Sequence, residues 1–280
     1  RRQRQMCIRD RDRGVADHGS TGALGRQSVV ARSGGRTDPG RVSGPAGRQE
    51  APESELTELQ IHVGDTPVGG LLQRPPAAKA LYLFGHGAGA GMRHPFLEAS
   101  SNALAARSIA TFRYEFPYMA AGRRMPDRQD TLVATVRAAA ATALQVAPEL
   151  PLFAGGKSMG GRMTSIAAAE APLDGVRGIA FYGFPLHRPG DESDARADHL
   201  ADVSVPMLFL QGTRDRLAEL DRVRLVCGRL QDRATLHVVD GADHGFSVLK
   251  RSGRTDAGVQ EEMADAVARW IGLTTGPGNG

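Results

Sequence analysis

Three short segments of the sequence carry residue types that can perform nucleophilic chemistry together. Ser158 lies in "GGKSMGG", Asp215 in "QGTRD" and His244 in "GADHG". A serine hydroxyl becomes a nucleophile when an imidazole takes its proton, and a carboxylate on the other ring nitrogen fixes the imidazole tautomer. Each residue follows an apolar run, and their order is serine, acid, histidine. The spacing therefore predicts a catalytic triad.

The serine segment contains two overlapping motifs. "GGKS" resembles the end of a phosphate-binding P-loop, whereas "GKSMG" matches the G-x-S-x-G nucleophile elbow. The P-loop pattern needs a glycine where Pro151 stands, and proline has no N–H to offer a phosphate. "LFAG" is the buried strand that an elbow requires, and Gly156, Gly160 and Gly161 are the small residues around its strained turn. We interpret Ser158 as the nucleophile, the alternative being a cap in a glycine-rich turn.

The acid of the triad has competitors. Asp215 by itself is also a suitable helix N-cap, and Asp240 or Asp243 could be the acid instead. Asp243 is disfavoured because adjacent side chains usually point apart, which keeps it from His244. Lys157, the residue before the serine, is expected to face outward from the elbow.

An oxyanion hole requires one N–H donor after the nucleophile and another after an early central strand. Met159 supplies the first, and the loop "GHGAGAGMRHP" supplies the second from Gly87 or Ala88, with His86 bracing the loop. The same glycines spell G-x-G-x-x-A, a variant of the dinucleotide fingerprint. About ten residues of loop precede the helix expected at Pro95, where the fingerprint needs a tight turn. We therefore expect no nucleotide cofactor, and no metal.

Strand and helix patterns alternate from Leu56 onward, after an opening antiparallel hairpin. Strands are predicted in "KALYLFG", "SIATFRYEF", "PLFAGG", "VRGIAFYGF", "VPMLFLQG" and "ATLHVVDG". Helices are predicted from about Pro95, with Phe96, Ala99, Ala103 and Leu104 on one face, from about Pro126 to Gln145, through "RMTSIAAAE", and at the end of the chain. This alternation predicts an α/β fold with a mostly parallel central sheet and helices on both faces.

Composition divides the chain into three predicted parts. The first fifty residues hold eleven arginines and five acidic residues, a net charge of +6, so the remainder carries −2. We expect a disordered basic extension over residues 1–54, a folded domain over 55–273 and a flexible tail over 274–280. Nucleic-acid binding is not expected, because the arginines lack interleaved aromatic residues. No apolar stretch is long enough for a membrane span, and two cysteines fit a cytoplasmic protein.

From about Leu56 to Ile271 the sequence resembles the small bacterial α/β-hydrolases of the dienelactone-hydrolase-like superfamily, in the branch that includes the testis-expressed-30-like proteins. The matching segments are "FGHGAGAGMRHPF", "FRYEFPYM", "GRRMPDR", "GGKSMGGRM", "FYGFPLHRPG", "LFLQGTRD" and "DGADHGF". The resemblance implies the α/β-hydrolase fold and a serine hydrolase with Ser158, Asp215 and His244, acting on a small carboxylester, thioester or lactone. Some distant relatives serve as scaffolds, so a catalytically silent interaction protein is the alternative.

Loops should form the walls of the site. Only about twenty residues separate "FYGFP" from "VPMLF", too few for a helical lid domain. Tyr118, Arg123 and Arg124 lie on one loop, and His187 and Arg188 lie on another. These side chains are either ordinary solvated loop residues or a cationic rim that binds acidic acyl or phosphorylated substrates.

Overall fold

The computed structural model describes residues 54–276 except 189 and 192, and eight strands of this range form one sheet. The strands are β1 (Glu55–Val63), β2 (Thr66–Arg74), β3 (Ala80–Gly85), β4 (Ile109–Tyr114), β5 (Leu152–Lys157), β6 (Val176–Tyr182), β7 (Met207–Gly212) and β8 (Ala234–Val239). Their order is β1-β2-β4-β3-β5-β6-β7-β8. β2 pairs antiparallel with β1 and β4, and every later pair is parallel. The predicted opening hairpin and mostly parallel sheet are confirmed.

Helices cover both faces of the sheet, as predicted. They are α1 (Pro95–Ala105), α2 (Pro117–Ala120), α3 (Gln129–Val146), α4 (Met159–Glu170), α5 (Leu220–Leu230) and α6 (Asp256–Thr275). Along β3, Tyr82 and Phe84 point into the apolar core beneath α1 and α6, whereas Leu81 and Leu83 point into the core beneath α3, α4 and α5. The strand is buried on both sides, which is why it reads as one continuous apolar run.

The connection between β6 and β7 contains no lid domain. In its described residues the only regular element is a 3₁₀ segment, Ala195–Asp202. This segment packs on α4, where His199 Nε2 and Ser165 Oγ are 2.8 Å apart. The sheet edge above β5 therefore stays open, as the short connection predicted.

Helix α1 buries most of the predicted face, since Ala103 and Leu104 are buried and Phe96 is half-buried against the same core. Ala99 is exposed, whereas Leu97 and Ser100 are buried. The Ser100 hydroxyl donates a hydrogen bond of 2.7 Å to Gln260 of α6. Because a polar pair occupies the contact between the two helices, the apolar spacing alone included Ala99 and missed Ser100.

Two predicted boundaries also differ. Helix α3 begins at Gln129 rather than near Pro126, and α6 continues to Thr275, past the boundary predicted at residue 273. The hydroxyls of Thr274 and Thr275 donate to carbonyls one turn earlier and complete the last turn of α6. Apart from Ser54, the predicted basic extension lies outside the described residues, as do residues 277–280. None of the helices described is both long and apolar enough to cross a bilayer.

Helix α4 approaches the sheet through glycines. A Cβ on Gly160 would lie 2.4 Å from the carbonyl carbon and oxygen of Gly85, and a Cβ on Gly156 would lie 2.3 Å from the same oxygen. Real Cβ atoms do not come this close to backbone atoms. The start of α4 can therefore rest on the end of β3 only because these positions lack side chains.

We expect Gly160→Ala to lower the free energy of unfolding by about 1–3 kcal/mol, because the new methyl group meets rigid backbone. Gly228→Ala in α5 is the matched control, since nothing lies within 4 Å of its Cβ position. That substitution should leave stability unchanged or raise it by up to about 1 kcal/mol. Urea unfolding monitored by circular dichroism measures both, and equal effects would contradict the packing argument.

Candidate active site

Ser158 occupies the strained turn between β5 and α4. Its φ of 50° and ψ of −111° are unusual for a residue with a side chain. The turn is held from both sides, because the Ser158 N–H donates to the Tyr182 carbonyl at 3.1 Å and its carbonyl accepts from the Arg162 N–H at 3.1 Å. This is the backbone geometry that exposes a nucleophile at the end of a strand.

The three predicted triad residues lie in one hydrogen-bonded line. Ser158 Oγ is 2.9 Å from His244 Nε2, and His244 Nδ1 is 2.8 Å from Asp215 Oδ2. Asp215 follows β7 and His244 follows β8, so both side chains come from the carboxyl edge of the sheet, where β5 ends. The geometry allows His244 to accept a proton from Ser158 while Nδ1–H donates to Asp215.

The Asp215 carboxylate is held in its charged form. Burial by itself raises the pKa of Asp215, but the hydrogen bond to His244 and those from the Leu217 N–H and the Gln211 amide outweigh it and leave the pKa below its usual range. The side chain is only 5% exposed. A buried carboxylate with these partners is suited to stabilise an imidazolium.

The competing acids make other contacts. Asp240 accepts from the Thr213 hydroxyl at 3.3 Å, and Asp243 accepts from the N–H groups of Gly245 and Ser247 at 2.9 and 3.0 Å. The residue that begins α5 is not Asp215, because Glu219 occupies the N-cap position. Of the predicted acids, the structure brings only Asp215 to His244.

The loop after β3 places backbone N–H groups beside the serine. Ala88 and Met159 line the same cavity as Ser158, whereas Gly87 does not, although an added Cβ on Gly87 would be 3.9 Å from Ser158 Cβ. His86 braces the loop, since Nδ1–H donates to the Gly87 carbonyl at 2.8 Å and Nε2 accepts from the Phe116 N–H at 3.1 Å. Burial lowers the pKa of His86 to about 4, which keeps this ring neutral.

The rim residues predicted from the sequence lie in different surroundings. Tyr118 is fully buried, and its hydroxyl accepts from the Gly89 N–H at 3.1 Å, so it supports the loop from below. Arg123 is paired with Asp127 at 2.6 Å, and Arg124 is exposed. None of the three predicted residues lines the cavity that holds Ser158.

His187 does line that cavity, although it is almost fully buried. Its Nε2 is 2.8 Å from Glu219 Oε2, and its Nδ1 is 2.9 Å from the Arg188 carbonyl. Burial lowers the pKa of His187, but these two acceptors outweigh it and raise the pKa above its ordinary value. Both ring nitrogens of His187 are hydrogen-bonded, so this side chain fixes the shape of the cavity wall.

The cavity has a volume of about 350 Å³, and three arginines contribute to its wall. They are Arg162 in α4 and Arg188 and Arg196 in the β6–β7 connection. Of these, only Arg188 was singled out by the sequence. Arg162 could have been identified from the sequence, because it follows Ser158 by four residues and so lies on the same side of the helix. No sequence pattern pointed to Arg196.

Lys157 faces inward, contrary to the prediction. It is 9% exposed, its ammonium group donates to the His244 carbonyl, and it lies 5.7 and 5.3 Å from the ring centroids of Phe96 and Phe246. Burial lowers the pKa of Lys157 to about 8, against the opposing effect of Asp215. The β5 end is buried on every side, so the side chain runs beneath the histidine loop.

Among the described residues, no group of three or more histidine, cysteine, aspartate or glutamate side chains is arranged to hold a metal ion.

The lowered pKa of Lys157 makes a prediction for stability. Between pH 8 and 10.5 the unfolded chain binds this proton more fully than the folded one, so the Lys157 contribution to the free energy of unfolding rises with pH, by at most about 1.4 kcal/mol per unit. We expect the difference between wild type and Lys157→Met to increase from pH 7.5 to 9.5 in urea titrations. The exposed control Lys79→Met should show no such trend, and a flat difference for both would contradict the buried ammonium.

This chain is similar to a known protein family and to a curated mycobacterial protein. A family described as "Alpha/beta hydrolase domain" matches residues 78–272. A Mycobacterium tuberculosis protein named "Putative phosphoribosyl transferase" is 26% identical over 226 residues, which are 79% of this chain and 47% of that protein. The chain thus spans about half the length of the curated relatives it matches.

Solved structures share the fold. A dienelactone hydrolase from Anabaena variabilis has a TM-score of 0.64 at 21% identity, covering 78% of this chain and 97% of its own. A lidless α/β serine hydrolase from Xanthomonas campestris has a TM-score of 0.60 at 20% identity, covering 78% and 95%. The family match spans most of the sheet and the positions of Ser158, Asp215 and His244, in agreement with the resemblance found in the sequence. The chain therefore belongs to the alpha/beta hydrolase domain family.

Proposed function

We propose that the protein is a serine hydrolase that cleaves a carboxylester, thioester or lactone through an acyl-enzyme intermediate. The observation that carries the proposal is the continuous hydrogen-bonded line from Ser158 Oγ through His244 to Asp215, with distances of 2.9 and 2.8 Å. The serine sits in a strained turn at the floor of an open cavity. A serine that only capped a helix would need neither feature.

In the first half of the reaction Ser158 Oγ attacks the substrate carbonyl carbon while its proton passes to His244 Nε2. Asp215 accepts the Nδ1–H bond throughout, which keeps Nε2 free to receive that proton and stabilises the imidazolium. The tetrahedral intermediate then collapses, and the leaving group departs with the proton from His244. The product of this half-reaction is an acyl ester on Ser158.

The negative oxygen of the intermediate needs donors near Ser158. We assign this role to the N–H groups of Met159 and Ala88, because both residues line the cavity, and Gly87 does not. In the described part of the chain, neither N–H donates to a protein acceptor. Met159 is also the first residue of α4, where the helix dipole favours negative charge. In the second half, His244 takes a proton from water, whose oxygen attacks the acyl ester. The resulting tetrahedral intermediate releases the carboxylic acid as His244 returns the proton to Ser158 Oγ.

Two alternative functions, a transferase and a catalytically silent scaffold, receive less support. The transferase name belongs to a mycobacterial protein of which this chain covers 47%, so we do not extend that activity to this chain. A catalytically silent scaffold would not depend on the strain at Ser158 or on the buried, charged Asp215. The first experiment below distinguishes this alternative.

A fluorophosphonate probe should add one adduct to the native wild-type protein and none to Ser158→Ala. The probe reacts only with a serine whose hydroxyl is activated, so heat-denatured wild type should also remain unlabelled. Intact-mass spectrometry measures all three samples. Labelling of Ser158→Ala would assign the reactivity to another residue, and an unlabelled protein that circular dichroism shows to be folded would favour the scaffold.

Asp215→Asn should lower kcat for a short acyl ester by up to about 10⁴-fold, by analogy with the acid of the serine-protease triad. An amide can donate to Nδ1 and so favours the wrong imidazole tautomer. Asp240→Asn is the matched control and should keep nearly the full rate, because the Asp240 carboxylate accepts from the Thr213 hydroxyl and not from His244. The reverse result, with Asp240→Asn inactive, would show that the acid is misassigned.

A further inference from the structure

Three arginines line the cavity that holds Ser158. They are Arg162, Arg188 and Arg196. Arg162 and Arg196 are half-buried, and Arg188 is exposed. Burial lowers the pKa of Arg162, and the positive charges of Arg196 and Arg188 lower it further. The three side chains are therefore close enough to repel one another in a partly desolvated place.

Within the described part of the chain, this positive charge has no carboxylate in direct contact, and only Asp191 acts on Arg196 from a longer distance. No carboxylate of a described residue lies within 4.0 Å of any of the three guanidinium groups, and their one side-chain hydrogen bond runs from Arg196 to the His187 carbonyl at 3.0 Å. The one acid in the cavity wall, Asp127, is already paired with Arg123. The nearby His199 adds no charge, because burial and Arg162 lower its pKa to about 4.

Clustered arginines without a counterion cost stability, and a bound anion would remove that cost. We propose that Arg162, Arg188 and Arg196 form a phosphate-binding subsite beside Ser158, so that the preferred substrates are esters carrying a phosphate group. The choice of esters as substrates rests on the proposed hydrolase function, whereas the binding of the anion does not depend on it.

The number of arginines favours phosphate over a carboxylate. One carboxylate offers a single negative charge and two oxygens, which suit one guanidinium fork. A phosphate monoester carries up to two charges on three free oxygens, so it can satisfy several arginines at once. Space is also available, since Gln129, Arg162 and Arg196 line a second, adjoining cavity of about 640 Å³. Glu170, Asp198 and Asp202 line this second cavity as well, so it suits an uncharged or cationic part of a larger substrate, and the phosphate belongs on the Ser158 side.

The test uses three inhibitors with short alkyl chains and different headgroups on the full chain. Butyl phosphate, butanoate and butanol compete against hydrolysis of the neutral ester p-nitrophenyl butyrate, and calorimetry measures the binding of each directly. We expect butyl phosphate to inhibit competitively and to bind at least about tenfold more tightly than butanoate, with butanol weaker still. High salt should weaken the binding of both anions.

Variants locate the subsite. Arg162→Gln and Arg188→Gln should each weaken butyl phosphate binding by roughly tenfold or more, because each removes a charged hydrogen-bond donor. Arg162→Lys should retain part of the affinity. Arg224→Gln, an exposed arginine of α5 paired with Asp221, is the control and should bind like wild type. Circular dichroism and thermal unfolding identify any variant that fails to fold, and Arg188, being exposed, is the safer position.

The outcomes separate the two proposals. Equal binding of the three inhibitors, or butyl phosphate binding that survives in Arg162→Gln and Arg188→Gln, would overturn the phosphate subsite while leaving the hydrolase proposal intact. Tighter binding of butanoate than of butyl phosphate would replace phosphate by carboxylate and also overturn it. A protein that hydrolyses no ester yet binds butyl phosphate through these arginines would instead refute the proposed reaction and support the subsite.

Discussion

The contact between the glycines of α4, β3 and β5 is the constraint on which the candidate site depends. A Cβ at Gly160 or Gly156 would lie 2.4 or 2.3 Å from the Gly85 carbonyl oxygen, so the start of α4 rests directly on the end of β3. That contact leaves one residue, Ser158, to reverse the chain between β5 and α4, and it does so at a φ of 50°. The surrounding packing holds the serine in a conformation that it would not adopt alone.

The histidine must be held over this serine from three strands away. His244 follows β8, and the sheet order places β6 and β7 between β8 and β5. Lys157 bridges the gap by donating to the His244 carbonyl, and Phe246 stacks on Phe96 with ring centroids 5.8 Å apart. Asp243 turns the loop by accepting from two of its N–H groups. The inward lysine thus links the nucleophile's strand to the histidine's loop.

The sequence predicted what local patterns determine and missed what distant contacts determine. Ser158, Asp215 and His244 were predictable because a parallel sheet brings the carboxyl ends of its strands to one edge. The inward course of Lys157 depends on the histidine loop more than eighty residues away, which no local pattern reports. The burial of Ser100 depends in the same way on Gln260 of α6. The sequence left open whether Tyr118 and Arg124 are solvated loop residues or part of a rim, because backbone packing decides which loop side chains reach the cavity, and neither of these two does.

The arginines that line the cavity come from two elements, helix α4 and the β6–β7 connection. Arg162 lies four residues after Ser158 in α4, and residues at this spacing have Cβ atoms about 5–6 Å apart on one side of a helix. The distance from nucleophile to cation is therefore set by helix geometry and by the same glycine contact that strains the serine. Arg188 and Arg196 come instead from the β6–β7 connection, which has no lid domain to bury it. If both proposals hold, changes in that connection can alter which anion is bound without moving Ser158, the N-cap residue of α4, or Arg162 within that helix.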